Sequence, residues 1–174
     1  CDYKAHDFAQ YDGTNAGDPD ADWSYGKLDY VSDATDIPTE TQSFDAVLCT
    51  EVLEHVPEPI LVLKEIGRIL RPGGFAFLST PLASWLHQQP YHFYGGFTPY
   101  FYQRFLPQAG LEIVDIQANG HFFRMLLQEI YRGAHYIRKH YPGWHPYRFL
   151  SRIAANYWTA KWLTYLDEEI PLPA

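Results

Sequence analysis

The sequence predicts an α/β fold, a doubly wound and mostly parallel sheet followed by a C-terminal pair of helices. Three observations carry that expectation. Phe44 to Cys49 (FDAVLC) and Phe75 to Thr80 (FAFLST) are short apolar runs without alternation, which suits strands buried on both faces of a parallel sheet. Between them Ile60, Leu63, Ile66 and Leu70 recur at helical spacing and form a face able to cover a sheet. Arg71, Pro72, Gly73 and Gly74 then stop the helix, with a cation at its end, a breaker and two glycines.

The remaining elements follow in chain order. Cys1 to Phe8 reads as a strand with His6 and Asp7 at its polar edge. Tyr11 to Gly26, rich in Gly, Asp, Asn and Pro, is too polar to pack and reads as a loop. Leu28 to Ser32 is a second short strand, and SDATDIP follows it, with Asp36 suited to a turn or cap ahead of Ile37 and Pro38. Past Cys49 the chain turns polar at once. Thr50, Glu51, Glu54 and His55 thus fall beyond the carboxyl end of their strand, where open α/β sheets place ligands. Pro59 fits the first helical turn because its missing N–H would be unpaired there anyway.

After the FAFLST strand, Thr98 and Pro99 open a helix running to about Ala109, and Gly110 closes it. The loop before it carries His87, Gln88, Gln89, Tyr91, His92 and Tyr94. Such polar aromatics at the ligand end of a sheet mark the substrate-facing segment. His87 and His92 stand five apart with no third ligand nearby in sequence, so spacing gives no metal site; capping of a backbone carbonyl and general-base work both remain open. Leu111 to Ala118 alternates as an edge strand does. Phe122 to His140 is helical, with Phe123, Leu126, Leu127, Ile130, Tyr131, Ala134 and Ile137 on one face, and Tyr141, Pro142 and Gly143 break it. A second helix is expected from about Tyr147 to Leu166, with Phe149, Leu150, Ile153, Tyr157, Trp158, Trp162 and Leu163 inward, and DEEIPLPA ends the chain as a loop.

At 174 residues and 47% hydrophobic, the chain can bury one sizeable core. No apolar run approaches the ~20 residues of a membrane span, and no secretory signal pattern opens the sequence. Two cysteines, Cys1 and Cys49, give neither a disulfide framework nor metal-ligand spacing, and a reducing cytosol is the simplest compartment. A net charge of −8 argues against an autonomous nucleic-acid binder. The charge is uneven, with 6 Lys+Arg against 17 Asp+Glu up to residue 120 and 7 against 4 after it.

FDAVLCTEVLEHVPEP, followed about a helix later by ILRPGGFAFLSTP, resembles the middle of class I S-adenosylmethionine-dependent methyltransferases, specifically the type 11 group. The resemblance covers about residues 1 to 118 and implies a Rossmann-like sheet with S-adenosylmethionine as cofactor. It places Asp7 at the ribose hydroxyls, where a carboxylate can take two donors, and Asp33 with Ala34 at the adenine. It further implies that Thr50, Glu51 and Val52 line the cofactor pocket and look toward the acceptor. A histidine and aromatic residues precede an FTP helix in that group too, which makes His87 and His92, with His55 third, the candidates for a general base. Glu54 and His55 have a second reading as hydrogen-bonding anchors of the loop.

The chain departs from the family in one respect: no G-x-G-x-G turn occurs, and with it the family's first strand is missing. Residues 1–120 are therefore expected to be a partial methyltransferase core and residues 121–174 an aromatic helical segment packed on or over it. An incomplete piece of a longer chain, inactive alone, and a degenerate relative without cofactor both fit. The expected function is methyl transfer to a small-molecule or lipid-like acceptor. A non-catalytic methyltransferase-like binding module and a nicotinamide-dependent dehydrogenase are the alternatives. The C-terminal helices could serve as a lid, a dimer surface or a basic-aromatic face on anionic lipid; the oligomeric state and the acceptor do not follow from the residues.

Overall fold

The computed structural model describes residues 2–11 and 24–170, and the expected loop from Tyr11 to Gly26 lies mostly outside them. The chain divides into two compact units, Cys1–Ile116 and Gln117–Ala174.

In the first unit β1 (His6–Asp7) pairs in parallel with β2 (Tyr30–Val31), and β3 (Phe44–Thr50) pairs in parallel with β4 (Leu70–Ser79). Helix α1 (Pro59–Ile69) makes the crossover between β3 and β4, with Pro59 in its first turn. The helix stops at Ile69, and the RPGG segment enters β4 as an irregularity. Phe44 faces Leu70, Ala46 faces Phe75, and the extra residues loop out around Gly73 at φ 80°. Arg71 braces that bulge by donating to Asp45 Oδ1 at 2.6 Å and to the Gln42 carbonyl at 3.1 Å.

Leu53, Val62, Leu63, Ile66, Leu70, Phe97 and Leu106 form the core of this unit, with Val47, Cys49, Ala76 and Leu78 of the strands packed against it. Helix α2 (Pro99–Phe105) and the short 3-10 turn Pro107–Ala109 close the core from the far side, and Gly110 ends them in the left-handed region at φ 74°. α1 lies so close to that turn that a Cβ on Gly67 would stand 2.1 Å from the Ala109 carbonyl oxygen. Position 67 must therefore be glycine.

The strands depart from the sequence expectation on one side. Val47 and Cys49 point to the core, but Leu48, Phe75 and Phe77 are 65%, 67% and 64% exposed. The uninterrupted apolar run predicts two-sided burial, whereas among the described residues only the α1 face is covered. Leu111 to Ala118 also corrects the reading from alternation. No strand forms there, because no neighbouring backbone offers a ladder, although Leu111 and Ile113 still pack on the core.

The second unit contains α3 (Phe122–His140), α4 (Pro146–Ala154) and α5 (Tyr157–Glu169). α3 has the bounds that its periodicity predicts. The single helix expected from Tyr147 to Leu166 is instead two, because Asn156 caps α5 by accepting the Thr159 N–H at 2.9 Å. An asparagine inside a helical pattern is the signal that the periodicity reading passed over. Of the residues expected inward, Leu163 is buried, while Phe149, Leu150, Ile153, Tyr157, Trp158 and Trp162 are exposed. α5 also reaches Glu169, taking in the first three residues of the segment expected to be loop.

Candidate functional site

The site starts from one leucine. Leu53, fully buried, pins the 3-10 turn Leu53–His55 directly after β3, and this places Glu54 and His55 at the carboxyl end of the strand. The Glu54 carbonyl accepts the N–H groups of Phe93 at 2.9 Å and Tyr94 at 3.2 Å, and Tyr94 Oη donates to the Pro57 carbonyl at 2.8 Å. These bonds staple the loop 81–97 to the turn. The loop is closed at its base by Phe97 N–H to the Pro81 carbonyl at 2.9 Å. There Gly96, at φ 150°, leaves no room for a Cβ, which would stand 2.2 Å from the Leu82 oxygen.

That stapling brings three histidines from two distant segments together. Ring centroids lie 4.4 Å apart for His87 and His92, 4.8 Å for His55 and His87, and 5.7 Å for His55 and His92. Their hydrogen bonds fix two tautomers. A carbonyl can only accept, so Nδ1 of His55, 2.6 Å from the Tyr91 oxygen, and Nδ1 of His87, 2.8 Å from the Trp85 oxygen, both carry the proton. In the neutral rings Nε2 is then a lone-pair nitrogen.

Below the rings sits Glu54. Its side chain is fully buried, neither carboxylate oxygen has a hydrogen-bond donor among the described residues, and His55 Nε2 stands 3.8 Å from Oε1. Burial pushes its acid up to about 7, its own backbone amide pulls the other way, and the Glu51 charge adds to the rise. Burial likewise pushes the Cys49 thiol up to about 12, so this neighbouring cysteine stays a neutral packing residue.

The other candidates sit on the strand ends. Asp7 Oδ1 accepts the Ala9 N–H at 2.9 Å; Asp33 Oδ1 accepts the Thr35 N–H and Oγ1–H, each at 2.8 Å. Both carboxylates thereby shape their own turns and keep a second oxygen. His6, beside Asp7, has its Nε2 3.1 Å from the Ser32 carbonyl; burial pushes its imidazole below the ordinary value, and that carbonyl and the charges of Asp7, Asp33 and Glu65 oppose the shift. Ala34, beside Asp33, packs on the core that holds Leu53. Phe8, next to Asp7, meets Tyr91 edge-on at 5.9 Å, so the end of β1 touches the histidine loop. Thr50 is exposed at the tip of β3. Glu51 follows at φ 53°, a strained conformation held by its N–H on the Ser79 carbonyl and by Ser79 Oγ on its carboxylate, both at 2.9 Å. Val52 leads into the 3-10 turn. No hydrogen bond among the described residues joins Thr50, Glu51 or Val52 to Asp7 or Asp33, which stand on the other strand pair.

These residues match a methyltransferase. Residues 5–78 fit the family described as methyltransferase domain. That stretch is under half of the chain and is similar to a methyltransferase domain. It contains Asp7, Asp33, Ala34, Thr50, Glu51, Val52, Glu54 and His55, while His87 and His92 lie beyond it. A ubiquinone biosynthesis O-methyltransferase of Xanthomonas oryzae pv. oryzae is 50% identical over 56 residues, 31% of this chain and 23% of its own. One from Paracidovorax citrulli is 40% identical over 72 residues, 41% of this chain and 28% of its own. The chain thus spans about a quarter of the curated relatives it matches. A methyltransferase candidate solved from Bacillus halodurans is 17% identical with a TM-score of 0.47, covering 71% of this chain and 60% of that one.

Asp7 and Asp33 each have an oxygen to spare for hydroxyl or amino donors. Glu54, which sequence reasoning passed over as a chemical group, is the residue the structure adds. Its one legible signal was its place between Leu53, which had to be buried, and His55. Among the described residues, no helix is long and apolar enough to cross a membrane.

Proposed function

We propose that the protein carrying this chain transfers a methyl group from S-adenosylmethionine to a hydroxyl of a small-molecule or lipid-like acceptor. The observation that carries this reading is the meeting of His55, His87 and His92 at the carboxyl end of β3. The cofactor, when bound, supplies an already activated methyl. The work left to the protein is alignment of the acceptor and removal of its proton.

Asp7 and Asp33 hold the ribose and adenine, with Ala34 beside the ring, and Thr50, Glu51 and Val52 border the methyl end. His87 takes the acceptor proton on Nε2, the nitrogen its bond to the Trp85 carbonyl leaves open. His55, with its Nδ1 on the Tyr91 carbonyl, stands beside it, and His92 completes the cluster. The names of the relatives, O-methyltransferases, favour an oxygen acceptor over nitrogen or carbon. The exposed and half-buried aromatics of the loop suit a flat or apolar acceptor.

Calorimetric titration of the protein with S-adenosylmethionine tests the first half of the reading. Micromolar binding that falls at least tenfold in Asp7→Ala is expected; no binding would favour the non-catalytic module. A methyl-transfer assay against phenolic and lipid-like acceptors tests the second half.

A further inference from the structure

Helix α4 is packed inside out. Pro146, Phe149, Leu150, Ile153 and Ala154 share one side of it at about 100° per residue. On that side Phe149, Leu150 and Ile153 are 61%, 57% and 50% exposed. The opposite side is polar, and it is the one that the unit covers. Ser151 is buried there, and Arg148 reaches the end of α3, donating to the Tyr141 carbonyl at 3.2 Å and the Arg138 carbonyl at 3.5 Å. A helix that turns its apolar stripe to water while burying a serine has that stripe in reserve for another surface. We propose that this face of α4, with the exposed Trp144 just before it, docks the protein on an anionic lipid bilayer.

Charge selects that occupant. From Ile130 to Leu166 the sequence has no Asp or Glu, while Arg132, Arg138, Lys139, Arg148, Arg152 and Lys161 all fall within it. Lys139, Arg152 and Lys161 are exposed. A chain of net charge −8 thus keeps an acid-free, cationic stretch around its one inverted helix. Each lysine or arginine near an anionic membrane surface strengthens binding about fivefold. A second copy of the chain would set these cations against themselves. A nucleic acid would answer the cations, but Leu150 and Ile153 have no ring to stack on a base.

Helix α5 repeats the arrangement with different side chains. Only Ala155 and Asn156 separate it from α4. Tyr157, Lys161 and Tyr165 fall on one side of it with Trp158 and Trp162 beside them, all exposed, whereas Leu163 and Asp167 on the other side are buried. Tyrosine, tryptophan and lysine settle at the headgroup level, with an apolar body in the boundary and a polar tip in water. Among the described residues no helix is long and apolar enough to cross a membrane, so the contact is one of lying on the surface.

The inference rests on residues outside 5–78, and its test needs no turnover, so failure of the methyl-transfer reading would leave it standing. The protein would be floated with vesicles of phosphatidylglycerol and phosphatidylcholine, and with vesicles of phosphatidylcholine alone. Binding to the anionic vesicles is expected, weakened by salt and accompanied by a blue shift of tryptophan emission. Phe149→Ser with Ile153→Ser should weaken it about tenfold or more. Arg152→Glu with Lys161→Glu should weaken it at least about twentyfold, and Val114→Ser, an exposed apolar position of the first unit, should leave it unchanged. If the serine pair fails to fold by circular dichroism, the glutamate pair decides. No binding, equal binding to both kinds of vesicle, or binding by a folded pair equal to that of wild type overturns the inference. A dimer that the serine pair abolishes, without vesicle binding, overturns it too and gives the face to a second copy.

Discussion

Glu54 and Glu65 are both buried in the same unit, and the chain treats them in opposite ways. Glu65 is fully answered. Its Oε1 accepts the Ile37 N–H at 2.7 Å and Arg68 Nη2 at 2.6 Å, and Oε2 accepts Arg68 Nε at 2.7 Å. The Arg68 guanidinium holds this carboxyl below its usual range, burial opposes, and the Ile37 amide helps. Arg68 goes on to the carbonyls of Ile37 at 2.9 Å and Thr39 at 2.8 Å, so the pair straps the segment after β2 onto α1. Glu54 has no such partners. The contrast teaches that a buried carboxyl here is held ionised where donors converge on it, and is pushed toward its neutral acid where none among the described residues does.

The sharpest way to break that comparison is to remove the chemistry and leave the strap. His87→Ala should lower methyl transfer about 10²–10⁴-fold with the unfolding midpoint close to wild type, measured by assay and by thermal melt on one preparation. Full activity in both His87→Ala and His92→Ala would remove the loop from the mechanism.

Next in size is the reverse experiment. Glu65→Ala leaves the Ile37 amide and a partly buried guanidinium without their carboxylate, and should cost about 2–4 kcal/mol of stability, read from urea unfolding. Activity per folded molecule should survive it. If catalysis falls as far as in His87→Ala, the two glutamates are not separable in the way drawn above.

Glu54→Leu should change stability by no more than about 1 kcal/mol, in either direction, since an apolar side chain replaces a carboxylate with no donor among the described residues. A loss as large as that of Glu65→Ala would mean that Glu54 holds the fold after all.

The smallest effect is one of pH. Glu65 and Asp167 both have acids held below their unfolded values. For Asp167 burial works against ionisation, and the N–H groups of His121 and Arg124, at 2.9 and 3.0 Å, outweigh it. For both residues the native state binds fewer protons than the unfolded chain. Their stabilisation is therefore present above the unfolded carboxylate range near pH 4 and lost as pH falls through the depressed native values. Stability measured from pH 6 down to pH 3 should decline less steeply in Asp167→Asn than in wild type.

Local signals in the sequence were enough for the long elements. Pro59 opening α1, Thr98 with Pro99 opening α2, Gly110 closing the 3-10 turn into which the expected helix breaks after Phe105, and the face of α3 are all short-range, because caps, breakers and periodicity act within a turn or two of the chain. The signals failed where a neighbour decides. Leu111 to Ala118 has the pattern of a strand and no ladder to join, and Asn156 ended one helix and began another inside an apolar stripe that looked continuous.

Candidates for cofactor contact could be named in advance, since Asp33 and Thr50 follow strands legible in the letters and Asp7 ends another. What only the tertiary structure decided is the company kept by Glu54. Its carbonyl receives Phe93 and Tyr94 across nearly forty residues of chain, and this long-range bond sets His87 and His92 against His55. Spacing along a chain cannot express a meeting of that kind, because loop closure depends on backbone partners found only once the core has formed.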